Sequence, residues 1–127
     1  MPSRFCEDAP LTGLASKTCE PCDAQTPTLR GEELSRLAAE VPGWEVVEGH
    51  RLRRHYSFRN FRDALGFANR IGEIAEEQGH HPDMGIGWGY VEVRVWTHAI
   101  DGLSSNDFVL AAKVDALGEE DREGTTP

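Results

Sequence analysis

Apolar residues at helical spacing predict a first helix in the N-terminal half of the chain. Between residues 32 and 41 the apolar positions recur three and four residues apart, as on one face of a helix: Leu34, Leu37, Ala38 and Val41. Pro42 and Gly43 then predict its end. Thr28 is the nearest residue able to cap its start.

The strongest helical pattern follows Asn60, a residue type that commonly caps a helix start. The apolar positions again fall at three- and four-residue steps: Phe61, Ala64, Leu65, Ala68, Ile71, Ile74 and Ala75. Gly79 readily adopts the left-handed conformation that closes a helix. We therefore expect the helix to end there.

Alternation of apolar and polar residues predicts strands on both sides of this helix. Residues 44–47 form a short strand candidate, residues 48–50 a turn, and residues 52–58 the return strand of a hairpin. After the helix, residues 86–97 are strand-like. Glycines next to that strand indicate a bulge, a turn or a second short strand: Gly85, Gly87 and Gly89.

The last predicted element is a helix from Ser105 to Leu117, where Ser104 and Asp107 resemble a capping box. The element order is therefore helix, strand, strand, helix, one or two strands, helix. Hairpins joined by helices favour an α+β fold with an antiparallel sheet of about four strands and helices packed on one face, in the order α-β-β-α-β-β-α.

Composition divides the 127 residues into three parts. Residues 1–28 are rich in Pro, Thr, Ser and Cys without periodicity, and we expect an extended or mobile N-terminal arm, docked in part. Residues 29–118 form the folded domain, and residues 119–127 form a charged, flexible C-terminal tail. All three cysteines lie in the arm, where a single CxxC supplies only half of a zinc site: Cys6, Cys19 and Cys22.

The overall composition is that of a globular protein, with 39% hydrophobic and 28% charged residues. No apolar run approaches the ~18 residues that span a bilayer, and no signal-peptide pattern is present. We therefore expect a cytoplasmic protein that does not enter membranes. A net charge of −9 argues against general binding to nucleic acid.

Three of the five histidines lie close together in the sequence. His80 and His81 follow the long helix, and His98 ends the following strand. Pro82 biases its neighbour away from helical angles, so both adjacent rings can face one cavity. Imidazole, with an unperturbed pKa of ~6.5, can donate a proton while a neighbouring ring accepts one. Glu76 lies one helical turn before His80 and can orient an imidazole.

These residues alone leave three interpretations of the histidine cluster open. The three interpretations are an acid–base site, a metal site such as one for zinc, and a set of structural histidines at the ends of elements. Adjacent metal ligands are unusual in histidine motifs. Spacing alone does not choose among the three.

A wider set of motifs surrounds the histidines. The central ones are Glu76, His80-His81-Pro82, Trp88, Thr97-His98, Gly102-Leu103 and Asp107. The flanking ones are Pro42-Gly43-Trp44-Glu45, Phe58-Arg59-Asn60-Phe61, Ala64-Leu65-Gly66-Phe67, Asp107-Phe108 and Ala111-Ala112-Lys113. Together they resemble the signature of the pterin-4a-carbinolamine dehydratase family. The doubled histidine before proline is the most specific part.

The resemblance implies a hydro-lyase that removes water from 4a-hydroxytetrahydropterin and releases quinonoid dihydropterin. Such an enzyme recycles the pterin cofactor of aromatic amino-acid hydroxylases, which are its pathway partners. The resemblance also implies a homodimer or homotetramer that requires no metal or organic cofactor.

The resemblance implies a role for particular residues of this chain. The catalytic residues would be His80, His81 and His98. The substrate-binding residues would be Pro82, Thr97, Ala99, Ile100, Glu76 and Trp44. Of these, the indole of Trp44 would suit stacking on a flat pterin.

Two competing functions stay open at this point. Some family members act as non-catalytic binding or assembly modules, as partners of transcription factors or helpers in enzyme assembly. A metal-dependent hydrolase using the same histidines would require bound zinc. The presence of all three histidines favours catalysis.

Overall fold

The computed structural model describes residues 13–20 and 23–125, with side chains described as far as residue 118. The remaining residues of the predicted arm and tail lie outside the described part. The elements are α1 (Gly31–Ala38), β1 (Glu45–Val47), β2 (Arg51–Ser57), α2 (Phe61–Gln78), β3 (Asp83–Gly87), β4 (Tyr90–Val95), a 3-10 turn (His98–Ile100) and α3 (Ser105–Thr125). This order confirms the predicted α+β arrangement.

The four strands form one antiparallel sheet in the order β1-β2-β4-β3. Strand β4 therefore lies in the interior of the sheet, where it pairs with both β2 and β3. Of the three alternatives at the glycine-rich segment, the structure adopts the second short strand. Gly89, with φ of 82°, supplies the positive angle that the tight β3–β4 turn requires.

One face of the sheet packs against the helices. Alternate residues of the two central strands are buried there: Leu52, Tyr56, Val91, Val93 and Val95. The opposite face is charged, and Arg53 contacts Glu45 on one side and Glu92 on the other. Hydrogen bonds to these carboxylates raise the pKa of Arg53 above its ordinary value.

Helix α2 begins and ends as its sequence predicts. The Asn60 side chain accepts a hydrogen bond from the Asp63 N–H at 2.7 Å, and Gly79 closes the helix at φ 66°. The predicted apolar face needs a correction, because Phe61 and Leu65 are substantially exposed. The buried face runs instead through Ala64, Phe67, Ala68, Ile71 and Ala75.

The other two helices differ from prediction at their ends. Helix α1 has Arg30 as its N-cap without a side-chain hydrogen bond, so the assignment of Thr28 as the cap is wrong. Helix α3 extends to Thr125, past the predicted end at Leu117. At its start the predicted contact forms, since the Ser104 N–H donates to Asp107 Oδ2 at 2.8 Å. The Ser104 hydroxyl also lies 2.8 Å from Thr97 Oγ1.

Substituting Phe67 by Ala should destabilise the protein by about 3–5 kcal/mol, because this 1% exposed ring fills the space between α2 and the sheet. Phe61→Ala is the matched control on the same helix. Its ring is 46% exposed, and we expect a loss below about 1 kcal/mol. Urea unfolding of both variants measures the difference. Equal losses would contradict this account of the core.

Candidate functional site

The three clustered histidines line a single cleft of about 270 Å³. The cleft lies where the end of α2 meets the chain leaving β4. The described residues that line it are Glu20, Gly79, His80, His81, Trp96, Thr97, His98 and Ala99. Residues distant in the sequence are thus brought to one concave surface.

The end of α2 sends its two histidines into different surroundings. Gly79 turns the chain in the left-handed conformation, and the His80 N–H still bonds to the Ala75 carbonyl at 3.2 Å. The side chain of His80 is 10% exposed, whereas that of His81 is 58% exposed. One ring is therefore held inside the protein and the other faces solvent at the cleft.

His80 is held by the buried carboxylate of Asp107. Its Nε2 lies 2.6 Å from Asp107 Oδ1, while Oδ2 accepts from the Thr97 hydroxyl and the Ser104 N–H, both at 2.8 Å. An ionised carboxylate only accepts hydrogen bonds, so this contact requires a proton on Nε2 of His80. In the neutral ring, Nδ1 is then the nitrogen able to accept a proton.

Glu76 orients a histidine, but a different one from the one predicted. Its Oε2 lies 2.7 Å from Nε2 of His81, and both side chains are exposed. The helix ends at Gln78, so the residues after it no longer follow helical spacing. The predicted one-turn pairing of Glu76 with His80 is therefore replaced by a pairing with His81.

His98 lies flat against Trp96. The two ring centroids are 4.5 Å apart and the planes differ by 11°. The indole also contacts the ring of His50, whose Nε2 lies 2.8 Å from Asp101 Oδ1. An aromatic stack thus supports the exposed imidazole of His98 from beneath.

The remaining predicted site residues occupy several places. Thr97 and Ala99 line the cleft. Glu76 and Pro82 line a neighbouring groove of about 540 Å³ between α2 and β3, and His81 borders both spaces. Ile100 belongs to the 3-10 turn, outside the cleft lining.

Trp44 lies away from the cleft. Its ring is 5% exposed within the core, and its Nε1 donates to Asp115 Oδ1 at 3.0 Å. The ring packs edge-on against Tyr56. An indole enclosed in this way has no free face to stack on a ligand, so the structure does not place Trp44 at the site that the resemblance implied.

Sequence reasoning missed three residues at or behind the cleft, namely Asp107, Trp96 and Glu20. Asp107 was noticed as part of a helix cap and of the family motifs but without a role at the site, and Trp96 only as a position within the strand-like segment 86–97. The pairing of a cap carboxylate with a helix-end histidine gives no local signal. Glu20 lies in a segment without periodicity, so no pattern pointed to it.

Two other observations bear on the class of site. Within residues 13–20 and 23–125, no three His, Cys, Asp or Glu side chains are grouped so as to hold a metal ion. None of the described helices has the length and apolar character needed to cross a membrane. What the cleft does offer is three imidazoles in three environments, an arrangement suited to acid–base chemistry.

The fold and the cleft define a small α+β protein with a histidine-lined site, and the sequence comparison identifies its family. The profile described as pterin 4 alpha carbinolamine dehydratase matches residues 27–117. The chain belongs to this family.

Relatives from several organisms agree with this assignment. A protein of Rubrobacter xylanophilus named for pterin-4-alpha-carbinolamine dehydratase is 61% identical over 107 residues, covering 84% of this chain and 100% of the relative. One of Methylococcus capsulatus with the same name is 49% identical over 108 residues, covering 84% of this chain and 95% of the relative.

Solved structures share the fold. A transcriptional coactivator/pterin dehydratase from Brucella melitensis superposes with a TM-score of 0.68 at 28% identity, covering 72% of this chain and 99% of that one. A pterin dehydratase-like protein identified as a RuBisCO assembly factor in the alpha-carboxysome gives a TM-score of 0.50 at 22% identity. The match covers 59% of this chain and 86% of that chain. The second likeness concerns the fold alone.

Replacing Asp107 by Asn should lower the free energy of unfolding by about 1–3 kcal/mol. The reason is that an amide NH₂ group, which donates hydrogen bonds, replaces one carboxylate oxygen that accepts them from buried donors. The proton of the His80 ring should also no longer be held on Nε2 alone, and ¹⁵N NMR of the imidazole reports this change of tautomer. Asp101→Asn is the matched control, since Asp101 also contacts a histidine but is 86% exposed. We expect almost no change there. A control loss as large as that of Asp107→Asn would contradict the assigned role of the buried pair.

Proposed function

We propose that this protein is a hydro-lyase that removes water from 4a-hydroxytetrahydropterin to give quinonoid dihydropterin, through acid–base catalysis by His80, His81 and His98. The observation that carries the proposal is the convergence of these imidazoles on one cleft in a chain of this family. The names of the relatives support the same reaction.

Within the pterin ring, the reaction breaks the C4a–O and N5–H bonds and forms a C4a=N5 double bond. The C4a–O bond breaks as a protonated imidazole gives its proton to the departing hydroxyl, which leaves as water. The N5–H proton passes to a neutral imidazole, and the N5 electron pair forms the C4a=N5 double bond. One proton is donated and one is accepted, so the set of histidines ends with the same number of protons.

The surroundings of the three rings suit such a division of roles. The contact of His80 with Asp107 and that of His81 with Glu76 each fix one ring nitrogen as a donor to a carboxylate. His98 contacts no described carboxylate and is held by stacking on Trp96. A cation on one ring disfavours protonation of its neighbours, which promotes the mixed protonation state that the reaction needs.

The proposal extends to the setting of the reaction. We propose that the protein acts in the cytoplasm as a homodimer or homotetramer, in recycling of the cofactor used by an aromatic amino-acid hydroxylase. Thr97, Ala99, Ile100, Pro82 and Glu76 would contact the pterin or border its site. No metal or organic cofactor enters the proposed chemistry.

His80→Ala and His98→Ala should each lower kcat by about 10²–10⁴-fold, the usual contribution of a positioned proton donor or acceptor. Stopped-flow measurement of hydroxypterin decay, above the uncatalysed rate, tests this. His55→Ala is the control, because His55 stacks on Tyr90 on the opposite face of the sheet and should leave kcat unchanged. Wild-type rates in both site variants would refute histidine catalysis.

The pH profiles of the same two variants separate the roles. Loss of a general base removes the limb in which the rate rises with pH, and loss of a general acid removes the limb in which it falls. We expect each variant to lose one limb. If purified wild-type protein gives no turnover at all, the alternative of a non-catalytic binding or assembly module replaces the present proposal.

Trp96→Leu should lower kcat by about 3–10-fold, because loss of a stacked ring pair worth ~0.5–1.5 kcal/mol leaves His98 free to leave its productive position. Trp96→Phe retains a flat surface and should restore most of the rate. Trp88→Leu is the control, since this indole is 74% exposed at the β3–β4 turn. If Leu and Phe at position 96 gave the same rate, stacking would not be the reason for the effect.

A further inference from the structure

One wall of the cleft comes from a segment that precedes the residues matched by the family profile. Residues 13–20 lie before the matched range of 27–117 and nevertheless pack on the domain. Leu14 is 5% exposed within the hydrophobic core, and the Lys113 ammonium donates to the Ala15 carbonyl at 2.7 Å. The segment is thus attached to α3 before it reaches the cleft.

The backbone beside the cleft is fixed by two polar side chains. The Cys19 N–H donates to Gln78 Oε1 at 2.8 Å, and the Glu20 N–H donates to Asn106 Oδ1 at 2.9 Å. The Asn106 amide group donates back to the Glu20 carbonyl. Asn106 is 4% exposed, so this reciprocal pair is shielded from competing water.

These anchors lie on the elements that hold the His80–Asp107 pair. Gln78 is the last residue of α2, two positions before His80, and Asn106 immediately precedes Asp107 in α3. The position of Glu20 is therefore coupled to that of the histidine cleft. Glu20 is the one acidic residue among the described residues that line the cleft, where it accompanies three histidines.

The chemistry of a carboxylate at this place points to a particular part of the substrate. A pterin presents two neighbouring N–H donors on its pyrimidinone edge, from the 2-amino group and from N3. A carboxylate has two acceptor oxygens and matches such a donor pair in a bidentate, charge-assisted contact. The dehydration breaks bonds at C4a and N5, leaving this edge available for binding.

We infer that Glu20 is a specificity-determining residue that binds the 2-amino and N3–H edge of the pterin ring, while the histidines act at C4a and N5. This inference rests on the proposed function and deepens it. Because the bound edge is not the reacting one, the contact stabilises the ground state and the transition state alike. Its loss raises KM and leaves kcat nearly unchanged.

Glu20→Gln should raise KM for hydroxypterin about tenfold, the effect of losing a charged hydrogen bond at a partly solvated site. We expect kcat to stay within about threefold of wild type. Glu20→Asp keeps the charge and should recover part of the affinity. Glu40→Gln removes the same charge from an exposed position after α1 and should change neither constant. A fall in kcat at unchanged KM would overturn the inference.

Binding measurements test the inference without turnover. Fluorescence titration gives Kd for oxidised pterin and for its 2-oxo analogue, pteridine-2,4-dione, which lacks the amino donor. Wild type should prefer the pterin about tenfold, and Glu20→Gln should lose most of that preference. Asn106→Ala, which releases the Glu20 backbone, should reduce the preference in the same direction. An unchanged preference in Glu20→Gln refutes the role of Glu20.

The two proposals fail in different ways. If wild type binds pterin selectively through Glu20 but His80→Ala and His98→Ala retain full rates, histidine catalysis is wrong and the binding role of Glu20 stands. If those variants lose activity while Glu20→Gln matches wild type in KM and in both Kd values, the inference about Glu20 alone is wrong.

Discussion

The site depends on one buried carboxylate, that of Asp107. It is fully buried and accepts hydrogen bonds from the end of α2 through His80, from the end of β4 through Thr97, and from the start of its own helix through Ser104. A buried charge is tolerated only where its hydrogen bonds are satisfied. Satisfying this one fixes three elements relative to each other, and the cleft lies where they meet.

The termination of α2 then gives the site its asymmetry. A helix that continued past Gln78 would place successive side chains at regular angles around its axis. The left-handed turn at Gly79 breaks this regularity, so His80 faces the interior and His81 faces solvent. Acid–base chemistry benefits from chemically identical groups in unlike surroundings, because their proton affinities can then differ.

Proteins that share this fold are described with different roles. The same sheet and helices carry a coactivator/pterin dehydratase and a protein identified as an assembly factor, according to the descriptions of the two solved structures. The architecture alone therefore does not determine function, which depends on particular side chains. In this chain the side chains that line the candidate cleft come from the ends of regular elements and from an N-terminal segment that packs across them.

The element order and both ends of α2 were predictable from the sequence, because capping, helical spacing and strand alternation act over only a few residues. The sequence also identified His80, His81 and His98 as a group. It misjudged Phe61 and Leu65, since an apolar residue near a helix face is buried only where another element covers it. Three features could not be predicted in this way: His80 pairs with Asp107, 27 positions away, Trp44 is enclosed in the core, and Glu20 reaches the cleft through Asn106, 86 positions away. Such partners are selected by packing between elements, which no local pattern records.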